Sequence, residues 1–457
     1  MVSLSGGDTL PSRTVELVAE CQCKANRFST RVARSRLPLA AIVCHCSLCR
    51  YLTGGLYTSV TAWPDGDSSR PAEKKDENAQ ATKTPPAIAR EVSAAVQAGR
   101  LRTHPFSTNY NVFFCSMCSS LMFFDGTDEG KETYGVFAGV LDNTRVPTQS
   151  GGDGDGTDQE RSMPLLHIAH NKFLAGTLDG GAMPWLRDPN SAGSLEPPRM
   201  WMVNRGQSQE ITEEEAMFKL FRKKEERKQQ QQLGGGGSGG GEDKVQGGPL
   251  PPLPIKCFCG GVHLVLHSPR SGGGETRNND QIDSATGRRR VITCACESCR
   301  KATAGYLTHW TRAELQDVAF VDVPNNNENK TNSTRPISSF PSTLSELAAS
   351  VEDRAESPGG PTTLVLYRSS AHVQWYSCGR CSAAVFYARD DEPGRVWIAA
   401  GLLKGAGEDD GVRLEKYLSW DFSRAGVGFV EDCRGEWRDR IVDRMLQSAE
   451  AWEYTRG

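Results

Sequence analysis

Fourteen of the fifteen cysteines fall into two sets with the same order of spacings. The first is Cys21, Cys23, Cys44, Cys46, Cys49, Cys115 and Cys118. The second is Cys257, Cys259, Cys294, Cys296, Cys299, Cys378 and Cys381. Each set reads C-x-C, then C-x-C-x-x-C, then C-x-x-C, and only Cys433 stands outside it. Clustered thiols in a chain without a secretion signal read as metal ligands rather than as disulfides. A thiolate binds Zn²⁺ at about 2.3 Å, and four of them close a structural site. Cys21 and Cys23 with Cys115 and Cys118 make one such set, and Cys257 and Cys259 with Cys378 and Cys381 repeat it. In so loop-rich a chain this metal would supply much of the folding free energy.

Three cysteines then remain in each set: Cys44, Cys46 and Cys49, and Cys294, Cys296 and Cys299. Three protein ligands with a fourth position open to water or a substrate thiol is the pattern of a catalytic zinc. The alternative is that His45 or a distant residue closes the site. Ala295 stands at the place of His45 in the second set, so His45 is not an obligatory ligand. An iron–sulfur cluster also takes thiolates in tight runs, but cysteine pairs on hairpin-like turns favour zinc.

The flanks of the cysteines agree as well. CHCSLCR over 44–50 matches CACESCR over 294–300, and FFCSMCSSLMFF matches WYSCGRCSAAVFY. The chain therefore reads as an internal duplication, with one copy over 15–204, a linker over 205–250 and a second copy over 251–451. Around the cysteines the runs are short and rich in β-branched and aromatic residues: VFFC, LMFF and YGVFAGVL in the first copy, and VQWYSC, AVFY and RVWIAAGLL in the second. Such runs bounded by Gly, Asn or Asp predict strands. Trp437, Ile441, Val442, Met445 and Leu446 recur at helical spacing and predict a C-terminal helix.

In the linker, Thr212 followed by Glu215 is a capping box, so a charged helix is expected to start there and run through MFKLFRKKEERKQQQQ. The following GGGGSGGG is flexible coil, which leaves two tethered halves with no need to touch. Polar insertions over 64–100, 146–162, 268–289 and 324–361 read as surface loops.

A length of 457 residues with 37% hydrophobic and 24% charged residues excludes full disorder and predicts two or three domains. A net charge of −3, with only short basic runs such as 288–290, argues against a coat for nucleic acid or for an anionic membrane. No run approaches the roughly 18 apolar residues of a membrane span, and the start lacks a signal peptide. The expected location is the cytoplasm, with the nucleus as the alternative.

On these motifs the chain resembles the family of the glutathione-dependent formaldehyde-activating enzyme and centromere protein V. CxC, CHCSLCR or CACESCR, and FFCSMC or YSCGRC carry the resemblance. YGVFAGVLDN is similar to the family's strand ending in Gly-x-Leu-Asp, and PLLHIAHNKF followed by Trp185 is similar to its terminal His-containing segment. The resemblance covers most of both copies and omits the linker and insertions. It implies a mainly β, β-sandwich-like zinc fold in two tandem domains with short helices, a structural metal at the C-x-C plus C-x-x-C and a catalytic metal at the triplet. It also implies a carbon–sulfur lyase that interconverts S-(hydroxymethyl)glutathione with glutathione and formaldehyde, glutathione being the co-substrate. The centromere-protein branch implies the other reading, a zinc module that binds without catalysis. Two departures stand out. Ser119 and Ser382 replace the Gly expected after the last C-x-x-C, so a different turn is expected there, and Lys24 stands where the second copy keeps Gly260.

Arg50 and Arg300 directly follow the triplets. Each is a candidate to bind the glutathione carboxylates, or else to brace the metal loop by bonding to carbonyls. His167, His170, His309 and His372 are weaker candidates for acid–base work, since a lone histidine near strands is more often packed. Trp185, Trp201 and Trp375 read as core or rim, and Cys433 has no partner in sequence.

Overall fold

The computed structural model describes residues 14–64, 86–128, 131–142, 163–186, 198–204, 207–216, 251–269, 281–321, 339–356, 362–405, 407, 410–421, 423 and 426–456. The first half supplies eleven described strands: β1 (Thr14–Glu20), β2 (Arg27–Ala33), β3 (Leu39–Cys44), β4 (Thr58–Ala62), β5 (Leu101–Pro105), β6 (Tyr110–Cys115), β7 (Leu121–Asp128), β8 (Lys131–Phe137), β9 (Leu166–Lys172), β10 (Arg199–Trp201) and β11 (Glu210–Ile211). Helix α1 (Ser47–Thr53) follows β3, and α2 (Ala87–Gln97) precedes β5.

The second half supplies β12 (Leu253–Lys256), β13 (His263–Leu266), β14 (Arg289–Cys294), β15 (Thr308–Glu314), β16 (Val318–Phe320), β17 (Leu364–Ser370), β18 (Val373–Cys378), β19 (Ala384–Arg389), β20 (Arg395–Ala399), β21 (Leu418–Trp420) and β22 (Val427–Gly428). Its helices are α3 (Glu297–Thr303), α4 (Leu344–Glu356) and α5 (Asp439–Arg456). The protein is mainly β.

The two large sheets share a strand order. The first runs β11-β10-β9-β3-β4-β8-β7-β6-β5, and the second runs β17-β18-β19-β20-β15-β14-β21, with β22 also on β14. Read from the other end, β14, β15, β20, β19, β18 and β17 retrace β3, β4, β8, β7, β6 and β5. In both, the triplet strand lies antiparallel to its successor and parallel to a late strand. A small sheet, β1-β2 in the first half and β12-β13-β16 in the second, faces each large one. Phe28 of β2 meets Phe123 of β7 edge-on at 4.9 Å, an aromatic contact that fixes the two layers.

Two expectations about connecting segments change. The insertion at 64–100 contains α2, whose Ile88, Val92 and Ala95 are buried on one face. The insertion at 324–361 contains α4, which buries Leu344, Leu347, Ala348 and Val351. Apolar residues at this spacing form a helical stripe, and the polar remainder of each segment masked it. Positions 146–162 and 65–85 lie outside the described residues, as do the Gly-rich run and the linker helix beyond Ala216. The capping box itself is present: the Glu215 N–H donates to Thr212 Oγ1 at 3.1 Å, and the Thr212 N–H donates to Glu215 Oε2 at 2.8 Å. The C-terminal helix forms with Ile441, Val442, Met445 and Leu446 buried, whereas Trp437, also buried, precedes its first residue.

The halves are not merely tethered. Each of the two main cores mixes residues from both: Ala295, Tyr306, Leu307, Trp437 and Val442 join the core of the first half, and Leu52, Val112, Phe114, Leu121 and Phe137 join that of the second. Helix α5 packs on the 183–185 turn of the first half. At the centre, Tyr57 Oη accepts from the backbone N–H of Tyr306 at 3.0 Å and of Leu307 at 3.1 Å, and Ser59 Oγ donates to Tyr306 Oη at 2.7 Å. Burial of apolar surface at this scale outweighs what a flexible linker contributes.

Candidate metal centres and the cleft beside them

The structure brings together all fourteen patterned cysteines in four clusters: Cys21, Cys23, Cys115 and Cys118; Cys257, Cys259, Cys378 and Cys381; Cys44, Cys46 and Cys49; and Cys294, Cys296 and Cys299. Within each cluster the Sγ atoms all lie within 4.8 Å of one another. Sulfur pairs such as Cys21–Cys23 at 3.4 Å, Cys23–Cys115 at 3.5 Å and Cys257–Cys259 at 3.7 Å are far too long for a disulfide. They match the edge of a tetrahedron of thiolates around one ion, roughly 3.8 Å for a 2.3 Å metal–sulfur bond. The donor sets therefore fit a soft divalent metal.

In each four-thiol cluster, β6 or β18 delivers one cysteine at its end and the turn after it delivers another. Ser119 and Ser382 close these turns at φ of 58° and 68°. Serine takes up here the left-handed backbone that glycine would occupy more cheaply. Lys24 at φ 62° likewise repeats Gly260 at φ 71°. Polar hydrogens point at the sulfurs from outside. Asn26 donates its backbone N–H to Cys21 Sγ and its Nδ2 to Cys115 Sγ, both at 3.3 Å, while the Val262 N–H donates to Cys257 Sγ at 3.2 Å. Such donors stabilise thiolates and orient ligands.

The triplets sit where a strand becomes a helix. Cys44 ends β3, Cys46 is the N-cap of α1, and its sulfur accepts the Cys49 N–H at 3.3 Å. Cys294, Cys296 and Cys299 repeat this on β14 and α3, with the equivalent bond at 3.4 Å. The thiols of Cys44 and Cys49 lower the Cys46 pKa strongly, and those of Cys294 and Cys299 do the same for Cys296. His45 is buried with Nε2 on Asn171 Oδ1 at 3.0 Å, and burial takes it down to about 4. A neutral histidine held by an asparagine on β9 belongs to the packing under the triplet.

Arg50 and Arg300 are both buried and point across the molecule. Arg50 Nη1 donates to Gly401 O at 3.3 Å, whereas Arg300 Nη1 donates to Gly139 O at 2.6 Å and to Leu141 O. Gly139 and Gly401 occupy the same 3-10 turn in their respective halves. A Cβ on Gly139 would lie 2.3 Å from Arg300 O, and one on Gly401 would lie 2.0 Å from Gly55 O. Only glycine admits the partner half's helix so closely. Each arginine therefore bonds to carbonyls, and they belong to the other half.

A cleft of about 850 Å³ opens beside the second triplet. Cys294, Cys296 and Cys299 form its floor, Trp375 and Tyr387 one wall, and Arg389, Asp391, His372 and Phe429 its rim. Sequence reasoning passed over Arg389 and Phe429, because neither stands in a cysteine motif, and read Tyr387 only as the end of the strand run AVFY. Of the four histidines weighed earlier, His372 lines this cleft, His170 packs on Trp201 at 5.2 Å, and His309 is buried between Trp185 at 4.5 Å and Trp420 at 5.5 Å. His167 lies on β9. Trp185, Trp201 and Trp375 are buried, Trp375 also facing the cleft. Cys433 is buried with its sulfur 3.5 Å from Ala295 O, and burial raises it to about 12.

Residues 16–151 match the family model of the glutathione-dependent formaldehyde-activating enzyme. None of the curated proteins and none of the solved structures matches the chain. No described helix is long and apolar enough to cross a membrane.

Proposed function

We propose that the chain is a zinc-dependent carbon–sulfur lyase acting on glutathione-type thiol adducts such as S-(hydroxymethyl)glutathione, built from two copies of one zinc domain over 15–204 and 251–451. The observation that carries this reading is the three-thiol cluster that lines a cleft in the second half. Cys21, Cys23, Cys115 and Cys118, and Cys257, Cys259, Cys378 and Cys381, would hold two structural ions. Cys44, Cys46 and Cys49, and Cys294, Cys296 and Cys299, would hold two more. When bound at a triplet, zinc supplies an open position that polarises a hydroxyl oxygen or holds a sulfur as thiolate.

In the reaction the C–S bond of the adduct breaks, its electron pair goes to sulfur, the hydroxyl proton is lost as the C=O bond of formaldehyde forms, and sulfur takes up a proton as glutathione. The chain's part is to bind the adduct with its sulfur at the triplet and to exclude water with Trp375, Tyr387 and Phe429. Arg50 and Arg300 act here as braces, since both guanidinium groups are spent on buried carbonyls. A set of thiols kept reduced suits the cytoplasm or nucleus.

Metal content by mass spectrometry, with formaldehyde release from S-(hydroxymethyl)glutathione, tests the reading on the wild type and on the double variant Cys44→Ser/Cys294→Ser. The expected result is about four zinc ions per chain, falling to about two with the fold intact and turnover lost. About two ions in the wild type and no turnover would leave a zinc module that binds without catalysis.

A further inference from the structure

The two halves pair their strands in the same register, so rim positions correspond one to one. Tyr110 faces Gly126 across β6 and β7 in the first half, and Val373 faces Arg389 across β18 and β19 in the second. Val112 faces Phe124 where Trp375 faces Tyr387. Gly126 thus stands at the place of Arg389, and no arginine leaves the first sheet there. The space is also taken: a Cβ on Gly126 would lie 2.2 Å from Tyr110 Cδ1 and 2.5 Å from Asn109 O. Phe124 is folded onto the neighbouring strand, since a Cβ on Gly135 would lie 2.3 Å from its ring. Its counterpart Tyr387 leans over the neighbouring strand in the same way but meets Trp397, which stands at the place of Gly135, with ring centroids 5.7 Å apart, and lines the cleft. Between the triplet cysteines the first half carries an exposed Leu48, the second Ser298.

On the second rim, Arg389 Nε donates to Asp391 Oδ1 at 3.0 Å in a two-point pair, with the side chains 53% and 61% exposed. An exposed pair of this kind contributes little to stability, so a ligand that offers both charges can part it at small cost. An α-amino-acid end, with its carboxylate and ammonium on one carbon, offers that combination. The γ-glutamyl end of glutathione is such a group. Phe429 closes the mouth, 67% exposed and held at φ 59°. Phe173 takes the same left-handed backbone in the first half, at φ 64°, so this turn belongs to the shared fold and only the exposed ring is particular to the cleft.

We propose that the cleft over Cys294, Cys296 and Cys299 alone takes the thiol adduct, that Arg389 and Asp391 recognise the zwitterionic amino-acid end of the thiol, and that the first triplet takes no such ligand. This rests on the lyase reading and narrows it to one site and one class of thiol. The test uses the full-length protein with cobalt exchanged for zinc, titrated with glutathione while the sulfur-to-cobalt absorption is followed. One glutathione per chain is expected. Arg389→Ala, an exposed and foldable variant, should weaken glutathione binding and raise KM roughly ten- to a hundredfold, with kcat within about twofold. Arg389→Lys should recover part of this. Asp391→Asn should weaken glutathione but not 3-mercaptopropionate, which has no ammonium group. Two glutathiones per chain, or wild-type affinity in Arg389→Ala, would overturn the proposal while leaving the lyase reading standing. No thiol at any triplet, and no formaldehyde released, would sink both.

Discussion

The two triplets have the same three cysteines, the same strand-to-helix geometry and the same strand order behind them, yet Leu48 and Gly126 stand in the first half where Ser298 and the cleft-lining Arg389 stand in the second. Ligand geometry is fixed by backbone: a strand end, a helix N-cap and an amide donor to sulfur. Rim chemistry hangs on side chains that the fold does not need. Two halves with one strand order can therefore share a cluster of thiols while differing in what stands beside it.

The difference between Arg300 and Arg50 offers the largest effect with which to break this comparison. Arg300 is almost wholly buried and serves two carbonyls of the first half, whereas Arg50 serves one of the second. Arg300→Ala is expected to cost roughly 2–4 kcal/mol in urea unfolding, and Arg50→Ala about half of that. With the Gly-rich run at 234–241 cut, wild-type halves should still elute together, and those of Arg300→Ala should separate. Equal costs for the two variants, or free wild-type halves, would show that the cross-half bonds are incidental.

A second contrast lies at the centre of the sheets. Ser59 on β4 corresponds to His309 on β15, and burial takes His309 down to about 3. The neutral form is the folded one, while the unfolded chain binds a proton at the usual histidine pKa near 6.5. Stability carried by this group is therefore present above about pH 6.5 and is lost progressively as pH falls towards 3. Between pH 7 and pH 5 the wild type should lose roughly 2 kcal/mol more than His309→Gln, read from urea midpoints at the two values. The same loss in both would mean that His309 is hydrated.

The smallest effect sharpens the likeness instead. Lys24 repeats the left-handed backbone of Gly260. Lys24→Gly should stabilise the first half by about 0.5–1 kcal/mol by thermal unfolding, and Gly260→Lys should cost a similar amount. A destabilising Lys24→Gly would show that the lysine side chain contributes something beyond its backbone.

Much of the centre of each half was legible, because cysteines two or three residues apart can meet only at turns, and apolar runs between turn residues can only be strands. Helices α2 and α4 were hidden for a different reason. Ile88, Val92 and Ala95 show a helical period, but they lie inside a window whose average composition is polar. The contact of Arg300 with Gly139 joins residues 161 positions apart, and no local pattern encodes it. Arg389 follows the last patterned cysteine by eight positions without a motif of its own, and only its register against Gly126 marks it out.

The crossed arginines also bear on how the two halves depend on each other. The carbonyls that seat Arg300 come from the first half, so deleting that half would unseat the loop that carries Cys294, Cys296 and Cys299. A first half that takes no thiol adduct, as proposed, would still be needed as the support of the second triplet. Substitution should then be tolerated at Leu48 and resisted at Gly139, where a Cβ would meet Arg300 O.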